Sequence, residues 1–131
     1  MKVLRVRPKH YPEVIDIDCS LESLQKEVEG PIQAVYPWDD VVALICNEEG
    51  KLHDDCMEKL NRTLDGPYGI TIDIIVGTFL IVGLTEDDFG ELLPEFVERY
   101  EKMFHQPRKF VTYTDSEGKA HLYVDYCTPE E

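Results

Sequence analysis

Basic residues are scarce in this chain. Lys and Arg number 13 against 27 Asp and Glu over 131 residues, a formal net charge of −14. That deficit argues against direct, non-specific binding to nucleic acid, because neutralising phosphates takes an excess of Lys and Arg. Long apolar runs are missing too. No stretch approaches the roughly 18 residues of a membrane span, and Met1-Lys2-Val3-Leu4-Arg5 has no signal-peptide apolar core, so no membrane association is expected. The four cysteines (Cys19, Cys46, Cys56, Cys127) form no Cys-x-x-Cys pair and no dense framework. This pattern points to a reduced, cytoplasmic protein and away from a zinc site. Neither Gly66-Pro67-Tyr68-Gly69 nor Gly77-Thr78-Phe79 fits a phosphate loop, and no dinucleotide fingerprint occurs, so no cofactor is expected.

What remains is a chain with 43% hydrophobic residues, too many for wholesale disorder, and a length that suits one domain. Charge is unevenly placed. Residues 1–10 carry +4, residues 11–60 carry −10 and residues 61–131 carry −8. Such an excess exceeds what solubility needs and costs stability through self-repulsion.

The pattern predicts an α+β fold: a mostly antiparallel sheet with two to three helices packed on it and a C-terminal β-hairpin. Val3–Arg7 and Glu13–Asp18 read as a first hairpin broken by Pro8 and Pro12. Ser20 is a good N-cap, Leu21, Leu24 and Val28 recur at helical spacing, and Gly30-Pro31 is a stop, which predicts a helix over 21–29. Ile32–Tyr36 and the nearly continuous apolar run Val41–Cys46 read as strands, the second of them central. Met57, Leu60 and Leu64 suggest a helical turn between 52 and 64. Ile70–Leu84, interrupted by Gly77, reads as two strands. A short helical turn is expected at 86–92, followed by a helix from Pro94 to His105. Residues 109–114 and 119–126 flank Asp115-Ser116-Glu117-Gly118 as a hairpin.

Two candidate sites follow. The first is an acidic surface of Asp39, Asp40, Glu48, Glu49, Asp88, Glu91, Glu95 and Glu98. If residues 88–101 were helical, the stripe Asp88, Glu91, Glu95, Glu98, Glu101 would place one carboxylate per about 5 Å, against one charge per ~1.7 Å of duplex DNA. By itself the stripe reads as a solvated helix face; imitation of DNA requires Asp39, Asp40, Glu48, Glu49, Asp54 and Asp55 to align with it. The second is a polar pocket of Asn47, Asn61, Arg62 and Asp73, in which Asn61 and Arg62 hold an anionic group and Asp73 orients it or acts as base. His53-Asp54-Asp55-Cys56 lacks the spaced pairs of a metal site, and no catalytic residue or metal ligand is assigned. Trp38 reads as a core residue.

One set of ordered motifs is familiar: Leu21-x-x-Leu24-Gln25-x-x-Val28-x-Gly30, Asn47-Glu48-Glu49-Gly50-Lys51-Leu52, Leu60-Asn61-Arg62-x-Leu64, Asp73-Ile74-Ile75-Val76-Gly77-Thr78-Phe79-x-Ile81-Val82-Gly83, and Lys102-Met103-Phe104. Together they resemble a domain-of-unknown-function family of short acidic proteins encoded by bacteriophages and conjugative elements of Firmicutes. The resemblance spans residues 2–105 and implies a bacterial or phage cytoplasmic setting, often near antirestriction genes, with no activity attached. The segment His53–Lys59 departs from the family's usual spacing before Asn61-Arg62. Within a single domain of 1–131, the chain then divides into a family-like core (2–105), an appended hairpin (106–126) and a mobile tail (127–131).

The expected role is a non-enzymatic interaction module whose protein partner has a basic surface, with a DNA-mimic inhibitor as its sharpest form. The competing role is a small-ligand-binding domain or enzyme built on the polar pocket. A third is self-association, giving a homodimer, through an exposed edge of the terminal hairpin.

Overall fold

The computed structural model describes residues 1–130. Its centre is an antiparallel sheet of β1 (Lys2–Val6), β2 (Glu13–Asp16), β3 (Ile32–Val35), β4 (Val42–Asn47) and β7 (Phe79–Leu84), ordered β2-β1-β7-β4-β3. The two strands with the longest apolar runs, β4 and β7, lie at the centre because both their faces are covered. Their register, Leu44 opposite Ile81 and Ala43 opposite Val82, sends alternate side chains to opposite layers.

One layer is α1 (Leu21–Val28), whose Leu24 and Val28 pack on Val3, Ala43, Ile45, Leu80 and Val82. Ser20 caps it as expected, its Oγ accepting from the Ser23 amide at 3.1 Å. The opposite layer combines α2 (Pro94–Phe104) with a second hairpin, β5 (Leu60–Asp65) and β6 (Thr71–Val76). Tyr100 and Phe104 from α2, Leu64 and Ile75 from the hairpin, and Leu4, Val6, Leu44, Phe79 and Ile81 from the sheet make this larger core. Trp38 closes it, its ring 4.4 Å from that of Tyr100. The final hairpin, β9 (Arg108–Thr114) and β10 (Ala120–Tyr126), forms a separate two-stranded ribbon.

Two elements differ from their sequence patterns. The helical turn expected over 52–64 is instead two single 3-10 turns (Gly50–Leu52, Cys56–Glu58) followed by β5. The four-residue spacing of Leu60 and Leu64 fits a strand equally well, and pairing with the strongly β-forming Ile74–Val76 decides the matter. The turn expected at 86–92 is a tight loop closed by Thr85, whose Oγ1 accepts from the Asp88 amide at 3.0 Å, and then a two-residue strand, β8 (Phe89–Gly90), on the end of β7. The helix therefore starts only at Pro94.

The tail was expected to be mobile from 127 to 131. In the structure the Cys127 amide donates to Pro107 O at 3.0 Å and the Glu130 amide to Lys9 O at 2.8 Å, which docks the described part of the tail; Glu131 lies outside the described residues.

Candidate functional site

Antiparallel pairing dictates which loops meet. The start of β1, the end of β7 and the start of β4 lie at one end of the sheet, and backbone bonds from Leu84 to Val41 and from Leu92 to Lys2 stitch the connecting segments there. The first turn of α1 reaches the same end, since the Cys19 thiol donates to Phe89 O at 3.1 Å. So does the first turn of α2, two residues after Leu92. The loop Glu86-Asp87-Asp88 thus stands among Asp18 and Glu22 of the α1 approach and Glu91 and Glu95 of the α2 approach, with Asp39 just before β4. All eight are solvent-exposed. Of these, Glu91 accepts the Lys2 amide at 3.1 Å, and Asp88 accepts its neighbour Phe89 at 2.7 Å.

The remaining acidic candidates go elsewhere. Glu48 and Glu49 follow β4, at the far end of the sheet and about 17 Å away along the strand. Asp40 is inside a small network, accepting from Tyr100 Oη at 2.7 Å and pairing with Arg99. The Tyr100 hydrogen bond and the Arg99 guanidinium hold the Asp40 carboxyl below its usual range. Glu98 lies on α2 beside Lys102, an exposed pair one turn apart. The expected single stripe is therefore broken: Asp88 and Glu91 lie before the helix, and only Glu95, Glu98 and Glu101 ride on it.

Among the N-terminal bases, Lys2 and the Met1 ammonium, 3.1 Å from Asp16, stand at the acidic end, while Arg5, Arg7 and Lys9 pair away from it. Arg5 donates to Glu13 at 2.7 Å and Glu27 at 3.0 Å, Arg7 lies 2.9 Å from Glu13, and Lys9 reaches Glu130 at 3.5 Å. Partial burial opposes the Glu13 charge, but the hydrogen bond and charge of Arg5 outweigh it and keep that carboxyl low.

The expected polar pocket of Asn47, Asn61, Arg62 and Asp73 is not assembled. Arg62 is 1% exposed and its fork is occupied by backbone and amide oxygens: Nε donates to Phe104 O at 3.0 Å, one terminal nitrogen to Asn61 Oδ1 at 2.9 Å and the other to His10 O at 2.7 Å. Asn61 in turn donates to Val6 O at 2.9 Å and Gly77 O at 2.8 Å. The pair ties β1, the β5–β6 hairpin and the end of α2 together, and desolvation, with Arg108 nearby, lowers the Arg62 pKa to about 10. Asn47 caps α1, its Nδ2 donating to Val28 O at 3.2 Å and Glu29 O at 3.3 Å. Asp73 is exposed and paired with Lys51. Asn47 and Asp73 do line one cleft of about 220 Å³, between β4 and β6, together with Cys46. Burial and the Asp73 charge push the Cys46 thiol up, which leaves it protonated and a poor nucleophile. Arg62 lines a different cleft, beside Trp38 and Arg108. Among the described residues, no three His, Cys, Asp or Glu side chains come together as a metal-holding group.

Sequence reasoning missed Asp18, Glu22, Glu86 and Asp87 as members of the acidic end, with residues 86–92 expected as a short helical turn. No local signal marks them, because their meeting depends on sheet order: β2, β7 and β3 are alternate strands of the antiparallel sheet, so the loops that follow them emerge at the same end.

No curated protein and no solved structure matches the chain. A family model described as Domain of unknown function (DUF3846) matches residues 1–105, which end with α2, so β9 and β10 lie beyond it. The fold up to the close of α2 is the family's part, and the chain belongs to the DUF3846 family.

Proposed function

We propose that this protein is a non-enzymatic interaction module which docks a basic-surfaced protein through the acidic end of its sheet. The observation that carries the reading is the gathering of Asp18, Glu22, Glu86, Asp87, Glu91 and Glu95 from three separate chain segments at one end, while Arg5, Arg7 and Lys9 pair elsewhere. Carboxylates concentrated in this way speed encounter with a positive surface and are screened by salt. The ligand-site reading has less support, because Asn61 and Arg62 are occupied by protein oxygens.

In its sharper form the partner is a DNA-binding protein of a Firmicute host and this chain is a phage or mobile-element inhibitor that works in the cytoplasm. The family resemblance and four free thiols agree with that setting. The test uses a histone-like DNA-binding protein as probe in binding titrations across a salt series. Binding should weaken steeply with salt, compete with duplex DNA, and fall at least about tenfold when Glu86, Asp87 and Asp88 are changed together to Lys. The double change Glu48→Lys, Glu49→Lys, at the other end, should do much less. Equal effects of the two sets, or binding indifferent to salt, would sink the proposal.

A further inference from the structure

The outward face of β6 breaks the rule that a solvent-facing strand alternates apolar-in, polar-out. Ile75 points into the core at 6% exposure, yet the opposite face carries Ile70 and Ile72, 65% and 62% exposed, with Ile74 half-buried between them and the body. Met57 and Leu122, both exposed, adjoin this row, and Leu122 of β10 overhangs it to leave a shallow cavity of about 430 Å³. At the hairpin tip Tyr68 is 100% exposed and sits at φ 64°, left-handed backbone that an L-residue with a Cβ resists. An aromatic held out in strained backbone, with no contact to repay it, is the kind of outlier that accompanies binding surfaces.

We infer that this face, Tyr68 with Ile70, Ile72, Ile74, Met57 and Leu122, is the contact surface for a second copy of the same chain. The exposed side chains amount to roughly 700 Å², counting a fully exposed aromatic near 200 Å², which exceeds a typical monomer's largest patch and approaches the ~800 Å² each partner buries in a stable complex. The charged groups at the cavity are Lys51 and Asp73, already paired with each other. Within the cavity no charge stands uncompensated, which suits a contact between two chains of net charge −14. A row of isoleucines two residues apart is also self-complementary about a two-fold axis, where the same patch meets itself. Among the described residues β6 is hydrogen-bonded only to β5, and a bare two-stranded hairpin gains stability once its apolar face is covered.

The dimer goes beyond the proposed partner binding, and salt separates the two. Screening relieves repulsion between like-charged copies and so strengthens the dimer, while it weakens binding of a basic probe. Sedimentation of the full chain from about 10 to 500 µM, at about 50 and 500 mM NaCl, should show a dimer that tightens with salt. Ile72→Glu, on an exposed position, should raise the dimer dissociation constant at least ~100-fold with unchanged circular dichroism, since both copies carry the charge. Tyr68→Gly suits the left-handed backbone, keeps the fold and should weaken the dimer too. A monomer at every concentration and salt overturns the inference, even if some other protein is found on this face. So does an Ile72→Glu variant that dimerises like the parent. Loss of basic-probe binding with the dimer intact would strike only the acidic-end proposal.

Discussion

Arg62→Met is the perturbation whose outcome the structure specifies most closely. Methionine keeps much of the side-chain length and fills much of the same space, so little cavity results, but it removes the donors that reach His10 O, Phe104 O and Asn61 Oδ1. Each hydrogen bond from a charged donor contributes about 1.5–3 kcal/mol, and each buried acceptor left empty costs about 1–3 kcal/mol. Against this stands the relief of burying a charge: the Arg62 pKa is lowered to about 10, so the guanidinium is held at neutral pH at some expense to the fold. A base whose folded pKa is depressed binds fewer protons folded than unfolded above that value, so this expense eases only as pH rises past about 10. The balance is a net loss of about 3–4 kcal/mol, a large part of the ~5–15 kcal/mol that holds a domain of this size. In urea, with a slope near 2 kcal/mol/M, the midpoint should fall by about 1.5–2 M. Trp38 fluorescence and far-ultraviolet circular dichroism should report it together, because Trp38 packs on the same core as Arg62's anchor Phe104. Arg62→Lys keeps the charge without the fork and should lose about 2 kcal/mol. A midpoint shift below about 0.5 M for Arg62→Met would refute the account and return Arg62 to the pool of residues free to hold a ligand.

Three further outcomes are expected. Gly83→Ala puts a Cβ 2.1 Å from Glu91 O, where β7 meets β8, so the backbone has to move; stability should drop by about 3 kcal/mol or more, read from the thermal midpoint or from insoluble expression. Asn47→Ala removes the cap on the last carbonyls of α1 and should cost about 1–2 kcal/mol in chemical denaturation, with faster hydrogen exchange at the end of that helix. Asp40, held low by Tyr100 and Arg99, stabilises the fold above the unfolded carboxyl pKa of about 4, and that stabilisation disappears as pH falls through its lower folded value. The difference in urea midpoint between the parent and Asp40→Asn should therefore be largest near neutral pH and vanish in strong acid; a difference that grows on acidification contradicts the assignment.

Local chemistry along the chain was enough for much of the architecture. Ser20 and Gly30-Pro31 bound α1, Pro94 opens α2 and Pro107 follows it, and the apolar runs of β4 and β7 mark the central strands, because caps, breakers and side-chain periodicity act over a few residues. The hairpin β9–β10 was legible for the same reason, with Gly118 at φ 83° taking the turn position that favours glycine. The rest is non-local. Whether Leu60–Leu64 is helix or strand turned on its partner β6, and the polar pocket was lost because the oxygens that occupy Arg62 belong to residues 42 and 52 positions away. The acidic end took its members from loops that strand order brings together, and it excluded Glu48 and Glu49 because β4 carries them to the opposite end of the sheet. Side-chain chemistry is written residue by residue, but the company each charge keeps depends on strand pairing across the whole chain, which no short window contains.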